Sequence, residues 1–423
     1  MKIKVILLMH FPPKLDLTNS GFIELPNGEK TCFNNDKQNW FFALGNQMMN
    51  RYADKLDVEI WQPEPKTKEI ILRKYNNGLI HRLFPACYIN KLTITGTKKK
   101  LFSDKILSEL KKESTSKNIV LHFRATREYF TSKIVNIFDR KIIYLGQFSI
   151  NITNRFNVND YSLFKKYYVM FRVIIPYKKF LLNVNNIIPG TQKDLKAEPF
   201  FNKLNIFYRD NCANFGLDVD FWDKDKVNVQ KVKKNMGLDN YKILLVSSRL
   251  VKEKRIVEII NAISKIKTKI KYKLIITGSF NTIYGEKIKN ISDVLIPNRV
   301  IFTGFVSEIK LRDLFAISDL FISNSILEAG PFSVYIAYLM EVPVLQTKVG
   351  IGYEFGDEQH ISFLISSEQN RNEKELQASL EKYFNGELPK NINRNSAINY
   401  FNWDTISQYY FDVYNSLIKS KEK

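Results

Sequence analysis

The chain has 423 residues, 44% of them hydrophobic and 25% charged, a balance that fits two or three globular domains, each with its own core. Three cysteines (Cys32, Cys87, Cys212) with no C-x-x-C spacing argue against a zinc or disulfide framework and suit a reducing cytosol. The apolar run at 5–9 is too short for a signal-peptide core, no run of 18 apolar residues offers a membrane span, and the formal net charge is +21.

Residues 2–9 are β-branched and leucine-rich and predict a buried first strand, closed by His10, Phe11, Pro12 and Pro13. Residues 15–39 make a long polar insertion where a short strand-to-helix loop is expected. Such a segment at the carboxyl end of a parallel strand is either a binding loop or a disordered one. A helix is expected over 36–52, with Trp40, Leu44 and Met48 on one face and Asp36 as cap. Strands follow at 57–61, 118–123 and 141–145, and helices at 102–112, with Ser103 near its start, and at 126–138. Residues 161–180 carry five basic residues, no acidic ones and many aromatics. That segment reads equally well as an amphipathic stretch on an anionic bilayer and as a core helix with solvated lysines.

The positive charge is uneven. Residues 1–210 hold 35 Lys and Arg against 18 Asp and Glu, whereas the remainder holds 29 against 25. An excess of that size attracts a phospholipid surface, a phosphorylated lipid or nucleic acid, or it reflects solubility and a lysine-rich coding composition. No nucleic-acid recognition motif accompanies it, so nucleic acid is not an expected partner.

The second half alternates more regularly. Strands are expected at 242–247, 273–277, 299–302, 319–323 and 342–346, with helices at 256–266, from Ser307 onward and at 374–384. A polar stretch at 216–235 links the halves. The alternation predicts an α/β fold of two parallel-sheet domains covered by helices.

Four segments carry chemistry. In 324–350 a strand end is followed by Glu328, a Gly330-Pro331 turn, a helix and a second buried strand. Backbone N–H groups at such a helix start suit a phosphate, and a carboxylate beside it can hold hydroxyls. In 245–254 a strand end is followed by Arg249 and Lys254. Positioned cations stabilise the charge a leaving diphosphate gains, although this spacing alone usually marks a solvated face. Asp218-Val-Asp220 offers either a metal-binding pair or a turn. His122 ends a predicted strand and is either a satisfied interior residue or a functional one. Gly350, Gly352 and Gly356 lack the spacing of a dinucleotide fingerprint.

Taken together these segments resemble the donor-sugar site of the glycosyltransferase family 4 group (glycosyl transferases group 1). Glu328 falls on the first position of that group's E-x7-E pattern and Ile336 on the second, an apolar departure. Ser248-Arg249-Leu250 with Lys254 is similar to its G-R-L-x-x-x-K element, and 299–307 to the strand and loop that flank the nucleobase. Residues 214–221 are similar to its linker, which favours the turn reading of Asp218 and Asp220. Residues 401–414 are similar to its closing helix. The likeness is clear from about Asn214 onward and weaker before it.

The resemblance implies the GT-B fold, two Rossmann-like domains facing a central cleft. These would be an acceptor-binding domain at 1–215 with a crossover helix at 402–423, and a nucleotide-sugar-binding domain at 216–401. It implies sugar transfer with retention, without cofactor or metal, from a nucleotide-sugar to an anionic lipid-linked or polysaccharide-precursor acceptor at the cytoplasmic membrane face. Arg249 and Lys254 would hold the diphosphate. Gly330, Pro331, Phe332 and Ser333 would form the sugar and phosphate loop, Val306 would lie near the base, and Glu328 and His122 would be the catalytic pair. Ile336 cannot hydrogen-bond a ribose. Either another residue takes that role, or the donor depends less on ribose contacts, or the protein is a non-catalytic partner subunit.

Overall fold

The protein is represented by a computed structural model, which describes residues 2–12, 22–26, 28–32, 40–93, 96–115, 118–124, 129–138, 142–147, 167–168, 170–189, 203–207, 209, 212–328, 330, 332–387 and 391–422. Most of the 15–39 insertion, residues 161–166, Ala329 and Pro331 lie outside this set. The chain divides into two compact units, Met1–Arg209 with Ser407–Lys423, and Asp210–Ile406.

The first unit contains, in chain order, β1 (Ile3–Leu8), the short antiparallel pair β2 (Phe22–Glu24) and β3 (Lys30–Cys32), α1 (Trp40–Tyr52), β4 (Leu56–Glu64), β5 (Ile71–Lys74) and β6 (Ile80–Pro85). The hairpin β7 (Cys87–Thr93) and β8 (Gly96–Phe102) follows, then α2 (Asp104–Glu113), β9 (Ile119–Arg124), α3 (Tyr129–Ile137) and β10 (Ile143–Gln147). A π-helical turn (Met170–Ile174) leads into α4 (Ile175–Val184), before β11 (Asn186–Ile188) and β12 (Asn205–Ile206). Ser103 caps α2 as its position suggests, accepting a hydrogen bond from the Ile106 amide.

The main sheet runs β12-β11-β10-β9-β1-β4-β6-β5 and is parallel except where β5 pairs antiparallel with β6. That antiparallel edge and the β7–β8 hairpin depart from the expected simple alternation. The central strands are apolar on both faces, as a helix-covered parallel sheet requires. Because side chains alternate along a strand, Ile6, Leu8, Leu121 and Phe123 meet α2, α3 and α4 in one core. His122, between Leu121 and Phe123, faces the other layer.

The second unit contains α5 (Val229–Asn235), β13 (Lys242–Ser247), α6 (Ile256–Ser264), β14 (Tyr272–Thr277), α7 (Ile283–Leu295), β15 (Val300–Gly304), α8 (Glu308–Ala316) and β16 (Leu320–Ser323). It continues with α9 (Phe332–Leu339), β17 (Val344–Thr347), α10 (Ile351–Glu358), β18 (Ser362–Ile365), α11 (Gln369–Phe384) and α12 (Arg394–Phe401). The last helix, α13 (Trp403–Glu422), starts in this unit and ends in the first. The sheet is wholly parallel in the order β15-β14-β13-β16-β17-β18. The chain thus winds outward from β13 in one direction and, after crossing to β16, in the other. Among the described residues no helix is long and apolar enough to cross a membrane.

Candidate active site

In a doubly wound sheet, ligands bind beyond the carboxyl ends of the strands where the winding reverses. In the second unit that point lies between β13 and β16, whose loops carry Lys254 and Glu328. The loops after β13, β14 and β15 converge closely. Gly278 takes φ +131°, and a Cβ there would stand 2.2 Å from the Ser248 carbonyl oxygen. Only glycine permits that approach. The Gly278 amide in turn donates to Gly304 O at 2.9 Å.

Lys254 and Glu328 form an ion pair through Nζ and Oε1, with side chains only 14% and 16% exposed. Ser325 Oγ donates to the same Oε1 at 2.8 Å. Both of these contacts fall on Oε1; Glu328 Oε2 accepts no hydrogen bond from the described residues. The loop itself is fixed from below. The Ile326 amide donates to Glu253 O at 2.9 Å, Thr347 Oγ1 to Ser325 O at 2.7 Å, and Asn372 Nδ2 to Asn324 Oδ1 at 2.7 Å. Asn324, Ser325, Thr347 and Asn372 are all buried. Arg249 is exposed and makes no ion pair with the described residues. Arg255, directly after Lys254, adopts the left-handed conformation (φ +49°). Its guanidinium is buried, which weakens its hold on the proton, while nearby Glu258 acts in the opposite sense.

On the far side of Glu328, Gly330 is fitted closely. A Cβ there would lie 2.7 Å from the Tyr335 hydroxyl and 3.0 Å from Asn214 Oδ1, and the Tyr335 hydroxyl donates to that same Oδ1 at 3.2 Å. Phe332 opens α9 and packs on Phe215 with ring centroids 4.4 Å apart. Ser333 is half-buried beside it, in the first turn, where backbone N–H groups lack intrahelical partners. From Val334 to Leu339 every residue of α9 is buried, the mark of a helix enclosed on all sides. Ile336, only 4% exposed, belongs to that interior.

The glycines after β17 serve packing. A Cβ on Gly352 would stand 2.6 Å from Val334 Cγ1, and one on Gly356 2.2 Å from the Tyr338 hydroxyl. Their absence lets α10 lie against α9, where Gln346 Nε2 donates to the Tyr338 hydroxyl at 2.5 Å. Asp218 Oδ1 accepts from the Phe221 amide at 3.0 Å, closing a turn. Val306 is half-buried after β15, and its neighbour Phe305 is 85% exposed.

His122 sits within β9 of the first unit and is not open to solvent, as a histidine facing a reacting sugar would be. Its ring is fully buried, with Trp40 and Phe41 edge-on at 5.3 and 5.7 Å and Tyr410 at 5.7 Å. Nδ1 shares a 2.8 Å hydrogen bond with the Tyr414 hydroxyl, and Nε2 has no hydrogen-bond partner among the described residues. Burial disfavours the imidazolium and lowers the pKa to about 3, so the ring is neutral at physiological pH.

Sequence reasoning identified Glu328 and Lys254 as parts of one site, but it overlooked their direct pairing and the polar floor beneath them. Asn324 and Ser325, polar residues that with Ser323 follow the apolar run Leu320–Ile322 of β16, were the available signal.

Two doubly wound parallel-sheet units, with a cation and carboxylate at the switch point of the second, define a protein of the GT-B glycosyltransferase fold. Residues 228–399 match the family described as glycosyl transferases group 1, and the chain is accordingly a glycosyltransferase. No curated protein matches it. Among solved structures it is similar to a glycosyltransferase from Rickettsia africae ESF-5 (TM-score 0.62, 16% identity, 99% of each chain covered). It is also similar to sucrose-phosphate synthase from Thermosynechococcus elongatus (TM-score 0.65, 13% identity, 99% of this chain and 100% of that one). A third likeness is to Anabaena Alr3699/HepE in complex with UDP and glucose (TM-score 0.61, 14% identity, 98% and 100% covered). At these identities the likeness is one of fold.

Proposed function

We propose that the protein transfers a sugar from a nucleotide-sugar to a glycolipid or polysaccharide-precursor acceptor at the cytoplasmic face of a membrane, with retention of anomeric configuration. The observation that carries this reading is the Lys254–Glu328 pair at the switch point, inside the segment that matches glycosyl transferases group 1. The Anabaena protein's complex with UDP and glucose supports a nucleoside diphosphate sugar as donor.

Arg249 and Lys254 hold the diphosphate, and the first-turn amides of α9 near Gly330, Phe332 and Ser333 add neutral donors. Pro331 belongs to the same loop. Glu328 accepts hydrogen bonds from sugar hydroxyls through its unanchored oxygen. Val306 and the exposed Phe305 lie near the base. As the bond from the anomeric carbon to the diphosphate oxygen breaks, the acceptor oxygen forms its bond on the same face and its proton passes to the departing phosphate. The accumulating charge falls on Arg249 and Lys254. Residues 1–210 carry the net positive charge suited to an anionic acceptor. His122, enclosed and neutral, is not among the groups that touch the sugar.

Donor hydrolysis or transfer measured on Glu328→Ala and Arg249→Ala tests the assignment: turnover is expected to collapse in both, and wild-type turnover in both would overturn it.

A further inference from the structure

Two buried asparagines lie beneath the loops that carry Lys254 and Glu328. Asn324 follows β16, four residues before Glu328, and Asn372 lies in the first turn of α11. They are 1% and 2% exposed. Asn372 falls in none of the segments that carry the site's charges, yet its side chain reaches one of them.

The direction of the hydrogen bonds here is fixed from one end. Ser366, just after β18, offers a backbone carbonyl, which can only accept. Asn372 Nδ2 donates to it at 2.7 Å. The Ser366 amide donates in turn to Glu375 Oε2 at 2.6 Å, so Ser366 is held at both its polar groups by the first turns of α11. With its amino group so placed, Asn372 also donates to Asn324 Oδ1 at 2.7 Å. Asn324 therefore turns its oxygen to α11 and its amino group to the opposite side, where Nδ2 donates to Arg255 O at 3.5 Å. Reversing either amide would set oxygen against oxygen or amino group against amino group.

Arg255 is a residue that needs such a hold. It takes φ +49° and ψ +43°, a left-handed conformation that disfavours any residue with a Cβ. It closes the 3₁₀ turn Lys252–Lys254 and opens α6, so its backbone sets where Lys254 leaves the chain. Its carbonyl accepts from the Ile259 amide at 3.3 Å as well as from Asn324. The side chain of Asn324 thus ties the segment that bears Lys254 to the one that bears Glu328.

We propose that Asn372 is a positioning residue for the anion site: by fixing the amide of Asn324 it holds the left-handed turn at Arg255 and keeps Lys254 in register with Glu328. A buried polar chain orders its members sharply, because each misplaced amide leaves an unpaired polar atom, and a site keeps its geometry only when the groups behind it are locked. The role of Lys254 toward a diphosphate rests on the transferase reading; the tie between Asn372 and Lys254 does not.

The test is a double-mutant cycle between Asn372→Leu and Lys254→Ala in the full chain, read by denaturant unfolding and by affinity for ADP, GDP and UDP. The leucine is close in volume and removes both donors; Asn372→Ala is read in the same way should the leucine not fit. Asn372 and Lys254 share no hydrogen bond, yet the two substitutions together should destabilise less than the sum of each alone. Affinity for the nucleoside diphosphate that the wild type binds should fall about 10-fold in Asn372→Leu, with no further fall from that change once Lys254 is alanine. Leu376→Ala, one turn on in α11 and fully buried, is the comparison: it should lower the melting temperature and leave affinity unchanged. Additive unfolding, wild-type affinity in the Asn372 variant, the same loss with and without Lys254, or an equal loss in Leu376→Ala would overturn the proposal. Coupled unfolding in a chain that binds no nucleotide would remove only the transferase reading, and nucleotide binding with additive unfolding would remove only the positioning role.

Discussion

Glu328→Gln keeps the shape of the side chain and removes its charge. In the wild type, Oε1 accepts from both Lys254 and Ser325. Two unit charges in contact attract by about 4 kcal/mol at an effective dielectric of 20, and desolvation offsets most of that. At side-chain exposures of 14% and 16% the pair lies between an exposed and a buried one, worth about 1–2 kcal/mol net. The variant should therefore melt a few degrees lower. Its ligand behaviour should split. Lys254, released from the carboxylate, is free for phosphate, so affinity for the nucleoside diphosphate should hold or rise. Turnover should fall about 10²–10³-fold, as it does when a group that stabilises the transition state is removed. Titration calorimetry with nucleoside diphosphates and steady-state donor turnover read the two effects separately. Affinity and turnover falling in parallel, or turnover unchanged, would refute the reasoning.

Ile336→Glu would place a carboxylate inside α9 at a position only 4% exposed. It should cost about 3 kcal/mol or more in stability without improving donor affinity, and a variant that melts like wild type and binds donor more tightly would contradict the packing described for α9. Gly356→Ala brings a methyl group to 2.2 Å from the Tyr338 hydroxyl and should destabilise by about 1–3 kcal/mol, read from denaturant unfolding. His81 and His122 each have a pKa lowered from 6.5 to about 3, chiefly by burial. Their neutral forms belong to the folded state, so between those pH values the unfolded chain binds more protons. Stability is complete above pH 6.5 and falls as pH drops toward 3. His122→Phe should reduce that slope by about one proton in denaturant titrations across the range.

Much of the fold was legible wherever apolar runs were unbroken. The span 242–247 is β13 residue for residue, and Ser307, marked as a helix start, accepts from the Lys310 amide as the cap of α8. The region from 62 to 102 was not legible. Its edge strand β5 and the hairpin β7–β8 carry lysines and polar residues on both alternations, Lys98-Lys99-Lys100 above all. Such strands show no period of two and are held by backbone pairing, which leaves no mark in the composition. At the site, motif register placed Glu328, Arg249 and Lys254 in one region. Whether a charged side chain faces ligand or a protein partner depends on tertiary neighbours, so the Lys254–Glu328 pair is visible only in the folded chain. His122 shows the same limit. Its place in β9 was readable, although the strand runs two residues beyond it, while the rings of Trp40, Tyr410 and Tyr414 that enclose it come from distant helices.

The central claim is that Arg249 and Lys254 bind the diphosphate of a nucleotide-sugar. Thermal shift of the wild type and of Arg249→Ala with Lys254→Ala, against a panel of nucleoside diphosphates and their sugars, tests it most directly. One base should stabilise the wild type by about 2.7 kcal/mol when ligand stands 100-fold above its Kd, and the double variant should gain almost nothing from the same ligand. A wild type that no nucleotide stabilises, or a double variant stabilised as much as the wild type, would contradict the account.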